Sequence, residues 1–320
     1  MRLPRLLLAL VGLAAAGLVL AWLLLGSARI EQETSFVIPA GASVSTVADK
    51  LEAEGLISSA SGFVLQARVF GSDTPIQAGE FLLKPGMSQS DILAAFQSGD
   101  VIRRFVTIPE GMPSILVWER LMAEELLTGE VDVPPEGSIL PDTYSFERGQ
   151  TRKSLVEQMQ AAMDRALAEE WARRSPGIAV DTMRDALILA AIVEKETGKP
   201  EERRMVAGLY SNRVRTGMKL QADPTIIYPI TKGKPLGRRI RQSEIAAVNG
   251  YNTYTRTGLP EGPITNPGRA SIAAVLNPEA TSALYMVADG TGGHWFADTL
   301  AEHNANVAKW YAIRRERGEM

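Results

Sequence analysis

The sequence contains no cysteine and only two histidines, His294 and His303. The first absence excludes a disulfide framework, a cysteine-based zinc site and a thiol nucleophile. The two histidines show no His-Glu-x-x-His or other paired-ligand spacing, so no metal is expected. There is no basic excess either: the formal net charge is -3, which excludes the global positive field of a nucleic-acid-binding protein. No Gly-x-Ser-x-Gly elbow of an α/β-hydrolase occurs. The run Asp289-Gly290-Thr291-Gly292-Gly293-His294 lacks the Lys-Ser/Thr that would follow in a phosphate loop. With 45% hydrophobic and 22% charged residues, the chain is globular rather than disordered.

Residues 6–25 carry no charged side chain. Roughly 20 apolar residues suffice to cross a bilayer as a helix. Arg2 and Arg5 precede the run, and Glu31 and Glu33 soon follow Arg29. By the positive-inside rule the N-terminus is cytoplasmic and the rest is exported. The small residues Gly26-Ser27-Ala28 would suit a cleaved signal peptide. The run exceeds the roughly 7–15 residues of a signal h-region, which favours a retained anchor over residues 1–28. A chain of 320 residues then leaves room for about two domains.

A short pattern recurs three times: a β-forming stretch led by Phe36, Phe81 or Phe105, a Pro/Gly turn, and a helical stretch. Ser43 and Ser88 are placed to cap the first two helices, and Val47/Leu51 and Ile92/Phe96 repeat at i,i+4. The spacings between the leading phenylalanines, 45 and 24 residues, are too irregular for a solenoid. A small α/β module of strand–helix units is expected. Beyond it, helices are expected over 154–171, from a cap at Asp181 through Thr197, over 201–216 and over 299–315. Residues 284–288 read as a buried strand. Residues 221–294 are rich in Pro, Gly, Asn, Thr and Tyr yet keep aliphatic residues throughout, which predicts ordered irregular structure.

Within the second of those helices, residues 186–193 are nearly all apolar and should be buried. The helix then delivers Glu194, Lys195 and Glu196. Glu194 continues the line of Leu187, Ala190 and Ala191, and the two alanines leave room for a cleft. Burial against such a wall disfavours the charged carboxylate and raises its pKa, as a general acid for glycosidic cleavage requires. The plainer reading is that Glu194 and Glu196 only pair with Lys195, Lys199 or Arg203. Being two residues apart, the two glutamates face different sides and cannot act as a facing pair. Further candidates lie in 220–228, with Gln221, Asp223 and Thr225, and in Tyr251-Asn252-Thr253-Tyr254. Aromatic and amide groups there are suited to stacking on sugars, although the same alternation fits a strand with outward polar residues. Residues 258–268, which include Asn266, form a rigid loop wall.

Taken together, Glu136-Gly137, Leu140-Pro141-Asp142-Thr143-Tyr144, Ala191-Ile192-Val193-Glu194-Lys195-Glu196-Thr197, Leu220-Gln221, Asp223-Pro224-Thr225, Tyr251-Asn252-Thr253-Tyr254, Asn266-Pro267-Gly268 and Gly292-Gly293-His294 resemble, in order, the MltG (YceG-like) endolytic murein transglycosylases. Ala222, Pro229 and Ser138-Ile139 depart from the usual pattern. The resemblance implies an α+β protein: the anchor, a LysM-like module over 35–103 and a mixed α/β catalytic domain over 104–320. It implies cleavage between N-acetylmuramic acid and N-acetylglucosamine in nascent peptidoglycan strands, with a 1,6-anhydro-muramyl product. Glu194 maps to the catalytic glutamate. Gln221, Asp223, Thr225, Tyr251, Asn252, Tyr254, Asn266 and His294 are expected to contact substrate. No cofactor is implied. Peptidoglycan synthases (penicillin-binding proteins) are the implied partners, at the inner membrane with the catalytic domain periplasmic. Two other readings remain: a non-catalytic glycan-binding adaptor, and a small-molecule lyase acting on a chorismate-like substrate, which the anchor disfavours.

Overall fold

The structure, a computed structural model, describes residues 27–319 together with Val11, Gly12 and Gly17. The expected membrane-spanning run therefore lies, apart from those three residues, outside the described residues. Among the described residues no helix is long and apolar enough to cross a membrane. They form a mixed fold of helices and three two-stranded sheets. The chain divides into two compact units: Met1–Arg104 with Ser145–Gly149, and Phe105–Tyr144 with Gln150–Met320.

In the first unit, strands β1 (Thr34–Ile38) and β2 (Gly79–Leu83) pair antiparallel with Phe36 opposite Phe81. Alternation along β1 buries Phe36 and Ile38 on one face. Each strand leads through a turn to a helix, α1 (Val44–Ala53) after β1 and α3 (Gln89–Ser98) after β2. Ser43 accepts from the Thr46 amide, and Ser88 forms a capping box with Asp91, as their positions foretold. Phe96 of α3 joins the halves, its ring centroid 5.6 Å from Phe36 and 4.9 Å from Phe81. Helix α2 (Ala60–Phe70), capped by Ser59, fell outside the strand–turn–helix repeat and inserts Phe63 into the same core.

The third copy of the repeat, β3 (Arg104–Thr107) and α4 (Ser114–Ala123), has the expected order. It does not complete the small module: all but Arg104 belongs to the second unit, and β3 pairs with β4 (Thr143–Phe146). The larger core is helical. Helix α5 (Arg152–Ala172) is capped by Thr151, and α6 (Met183–Glu196) buries Ala186 and every residue from Ile188 to Val193. The cap of α6 is Thr182, which accepts from the Asp185 amide, rather than the adjacent Asp181. The expected helix over 201–216 divides into a 3-10 turn, Pro200–Glu202, and α7 (Arg203–Arg215).

The irregular region carries α8 (Pro224–Thr231), α9 (Gln242–Ile245) and α10 (Arg269–Leu276). A hairpin of β5 (Tyr285–Ala288) and β6 (His294–Ala297) follows, and α11 (Leu300–Glu316) closes the chain behind a Thr299–Glu302 capping box. β5 is only half-buried rather than buried, and β6 is its sheet partner among the described residues.

Candidate active site

At about 100° per residue, side chains two apart on a helix diverge by about 200°. The end of α6 shows this: Glu194 and Glu196 reach opposite walls. The Glu194 side chain is 6% exposed. Its Oε2 accepts from the Gly268 amide at 2.9 Å and from Ser271 Oγ at 2.7 Å, so it sits on the positive N-terminal end of α10. Arg203 lies 3.9 Å from Oε1 and 3.4 Å from Glu110. A side chain at Gly268 would meet the Glu110 carboxylate, a half-exposed group that could swing aside. Gly111 lies beside Glu194: a Cβ there would sit 3.4 Å from Glu194 Cγ, in van der Waals contact. Glu110, Gly111 and Lys195 line a cleft of about 500 Å³, with Met112, Ile227 and Ile264 among its apolar walls.

These surroundings differ from the expected ones. Ala190 and Ala191 are fully buried in the core and open no cleft. The groups around Glu194 are Gly111, Arg203, Gly268 and Ser271. No local cue in the sequence ties Ser271 to a glutamate 77 residues away.

Three of the predicted substrate contacts gather on the other side of α6. Gln221, Asp223 and Tyr254 line a cavity of about 380 Å³ together with Glu196, Tyr210 and Arg213. Tyr254 donates to Asp223 at 2.6 Å. Burial, and then the nearby Asp223 charge, push the Glu196 carboxyl up to about 7 against the opposing pull of Tyr210 and Arg213. Its Oε1 is buried without a hydrogen-bond partner. Gln221 holds a left-handed backbone, φ +50°, which a non-glycine residue seldom adopts.

Thr225, Asn252 and Asn266, also expected to contact substrate, lie inside the fold. All three are 0% exposed. Thr225 and Thr253 bond hydroxyl to hydroxyl at 2.8 Å. Asn252 donates to the carbonyls of Ile245 and Ala247 and accepts from the Tyr254 amide. Asn266 accepts from the Ile139 amide and donates to Met112 O and Ser114 Oγ. Their polar atoms are committed to holding loops. His294 pairs with Glu202 at 2.9 Å, which ties β6 to the 3-10 turn. Among the described residues no group of three His, Asp or Glu is placed to hold a metal.

Tyr251 packs on Tyr228, centroids 4.8 Å apart, and Tyr228 hydrogen-bonds Glu136. Glu136 in turn accepts from the Ser114 amide at 2.9 Å, capping α4 from outside the helix. Burial pushes this carboxyl up to about 7. Its folded value thus exceeds its unfolded one, so the stability it contributes is complete below the unfolded value and fades as pH rises through about 7. Wild type should therefore lose about 2 kcal/mol between pH 5 and pH 8 that Glu136→Gln keeps. Denaturant melts at the two pH values measure this; parallel losses in both proteins would refute it.

A model of the YceG-like family matches residues 36–309. A Streptococcus pneumoniae serotype 2 protein named endolytic murein transglycosylase is 30% identical over 85% of this chain. The match spans 57% of that relative's length. A Bacillus subtilis protein of the same name is 27% identical, over 88% of this chain and 85% of its own. A crystal structure of a YceG-like protein from Listeria monocytogenes superposes with a TM-score of 0.54 at 27% identity, covering 86% of this chain and 99% of the other. With 36–309 matched, the chain belongs to the YceG-like family.

Proposed function

We propose that the protein is an endolytic lytic transglycosylase that cuts the bond between N-acetylmuramic acid and N-acetylglucosamine within nascent peptidoglycan strands. The observation that carries this reading is the position of Glu194. In a chain whose relatives bear that activity in their names, it is an acidic group held nearly dry at the end of a buried helix, next to Lys195 and Gly111 in the wall of an open cleft and tethered to the N-terminal end of α10. Glu194 gives its proton to the glycosidic oxygen as the C1–oxygen bond breaks. The muramyl C6 hydroxyl then bonds to C1, and its proton returns to Glu194. The product carries a 1,6-anhydro end, and neither water nor a second carboxylate nucleophile enters. While the proton is away, the Gly268 amide and Ser271 hydroxyl hold the anion.

The anchor at residues 6–25, supported by its uncharged length and the flanking Arg2 and Arg5, would hold the enzyme at the inner membrane with its catalytic part in the periplasm. Membrane-bound peptidoglycan synthases would then be its natural partners. Residues 35–103 would be the LysM-like module and 104–320 the catalytic domain, although residues Ser145–Gly149 cluster with the first unit. Mass spectrometry of purified sacculi treated with the protein should reveal new 1,6-anhydro-muramyl ends. Binding to sacculi without such ends would make it a glycan-binding adaptor instead.

A further inference from the structure

The turn Pro109-Glu110-Gly111 brings the third copy of the strand–turn–helix repeat to the candidate active site, and the proton transfers just described leave its carboxylate without a role. We propose that Glu110 is a positioning residue: it holds the Arg203 guanidinium off Glu194 Oε1, so that this oxygen is free to carry the proton to the glycosidic bond. This rests on the transglycosylase reading for the step that the proton serves.

The same turn is built three times. Gly41, Gly86 and Gly111 hold left-handed backbones, with φ +78°, +84° and +70°. The residue before the glycine is Ala40 in the first copy and Pro85 in the second, and neither ionises. In the third it is Glu110. This last turn is fixed in place: the Ile108 amide donates to Asp142 O at 2.8 Å, and the Gly111 amide to Asn266 O at 3.0 Å. A turn whose shape calls for no charge thus holds one close to Glu194.

The two oxygens of Glu194 are not equivalent. Oε2 is taken by the Gly268 amide and Ser271 Oγ. The polar contact of Oε1 among the described residues is Arg203, at 3.9 Å, beyond hydrogen-bond reach. Arg203 Nη2 donates instead to Glu110 Oε2 at 3.4 Å, its one side-chain hydrogen bond among the described residues. Its Nε is buried without a partner. Arg213, by contrast, is pinned to Leu284 O at 2.7 Å and Leu220 O at 2.6 Å. A guanidinium held as lightly as Arg203 leans toward whichever carboxylate attracts it more. With Glu110 present, one cation serves two carboxylates. Without it, Arg203 closes on Oε1, steadies the anion there and works against the proton.

The remaining charged groups packed around the end of α6 are engaged elsewhere. Lys195, on the same helix, turns its Nζ toward Gly111 O, 3.5 Å away. Arg269 of α10 is drawn to Glu169 and Glu170 of α5. Asp223, before α8, lines the cavity on the Glu196 side. Arg203 and Glu110 are therefore the charges that decide how Oε1 holds a proton. Glu110 is half-exposed, so water can serve it while Arg203 attends to Glu194 as an anion.

The test follows the pH dependence of kcat for release of anhydro ends by the full chain. In Glu110→Gln the alkaline limb should move about one pH unit toward acid, which lowers turnover on that limb about tenfold. KM should stay within about twofold. Glu110→Asp, which keeps the charge, should restore most of the wild-type limb. Adding Arg203→Gln to Glu110→Gln removes the cation and should return the limb as well. A wild-type limb in Glu110→Gln overturns the proposal, as does an equal displacement in Glu110→Asp or in the double variant. A rise in KM alone also overturns it, by making Glu110 a substrate contact. Infrared spectra give a readout that needs no turnover. The carbonyl band of protonated Glu194, recognised by its loss in Glu194→Gln, should titrate about one pH unit lower in Glu110→Gln than in wild type. If the double variant fails to fold by circular dichroism, this band and the Glu110→Asp limb decide. New anhydro ends from wild type with limb and band unmoved in Glu110→Gln would leave the enzyme reading and remove the role of Glu110. A displaced band without new ends from wild type would do the reverse.

Discussion

Glu194→Gln should leave the fold intact and reduce release of anhydro-muropeptides from sacculi by about a thousandfold or more, the scale on which a general acid–base group acts. The amide is nearly the shape of the carboxyl. Its oxygen can still accept from the Gly268 amide and from Ser271 Oγ, so the tether to α10 survives. What is lost is the proton and the attraction of Arg203 at 3.9 Å. The melting temperature should therefore shift by no more than a few degrees, in keeping with about 1 kcal/mol for one weakened ionic contact. Activity above a tenth of wild type would remove Glu194 from the chemistry, because no positioning effect of an isosteric amide accounts for such a residue. A collapsed fold would instead show that its bonds to α10 are structural.

The second large effect is expected far from any proton transfer. Asn266→Ala should destabilise the protein by about 3–5 kcal/mol, because each buried polar group left without a partner costs about 1–3 kcal/mol. Two groups are stranded at once, the Ile139 amide and Met112 O, while Ser114 Oγ loses one bond and keeps the one it donates to Pro135 O at 3.2 Å. With roughly 2–4 °C lost per kcal/mol in a domain of this size, the transition should fall by about 10 °C. Activity at low temperature should fall as well, since the same amide sets the height of the loop bearing Gly111 against Glu194. A loss below about 1 kcal/mol would mean that water or relaxed loops replace all three bonds.

The accuracy of the reading from sequence follows the range of the forces involved. Ser43 and Ser88 were legible as caps because a cap acts within three residues, and the three strand–turn–helix copies because turn chemistry is equally local. Even there the margin was narrow: Asp181 and Thr182 are neighbours, and only the structure shows which oxygen reaches the Asp185 amide. The buried run of α6 and the divergence of Glu194 from Glu196 followed from helical geometry alone. The surroundings of those two side chains did not. Ser271 and Gly268 come to Glu194 through the packing of α10 on α6, a tertiary event without a local mark. Asn252 and Asn266 illustrate a different obstacle. An asparagine that binds a sugar and one that staples a loop have the same donors and acceptors, and burial, which separates them, is fixed only when the chain closes.

The Asn266 staple also bears on how the protein ages. Asparagine is usually lost when the backbone nitrogen of the next residue attacks the side-chain amide carbon and expels ammonia. The next residue here is Pro267, whose ring nitrogen carries no hydrogen and is blocked from that role. The amide on which three loop contacts depend is thereby shielded from the commonest spontaneous damage to its kind, and long-lived molecules should accumulate aspartate at other asparagines first.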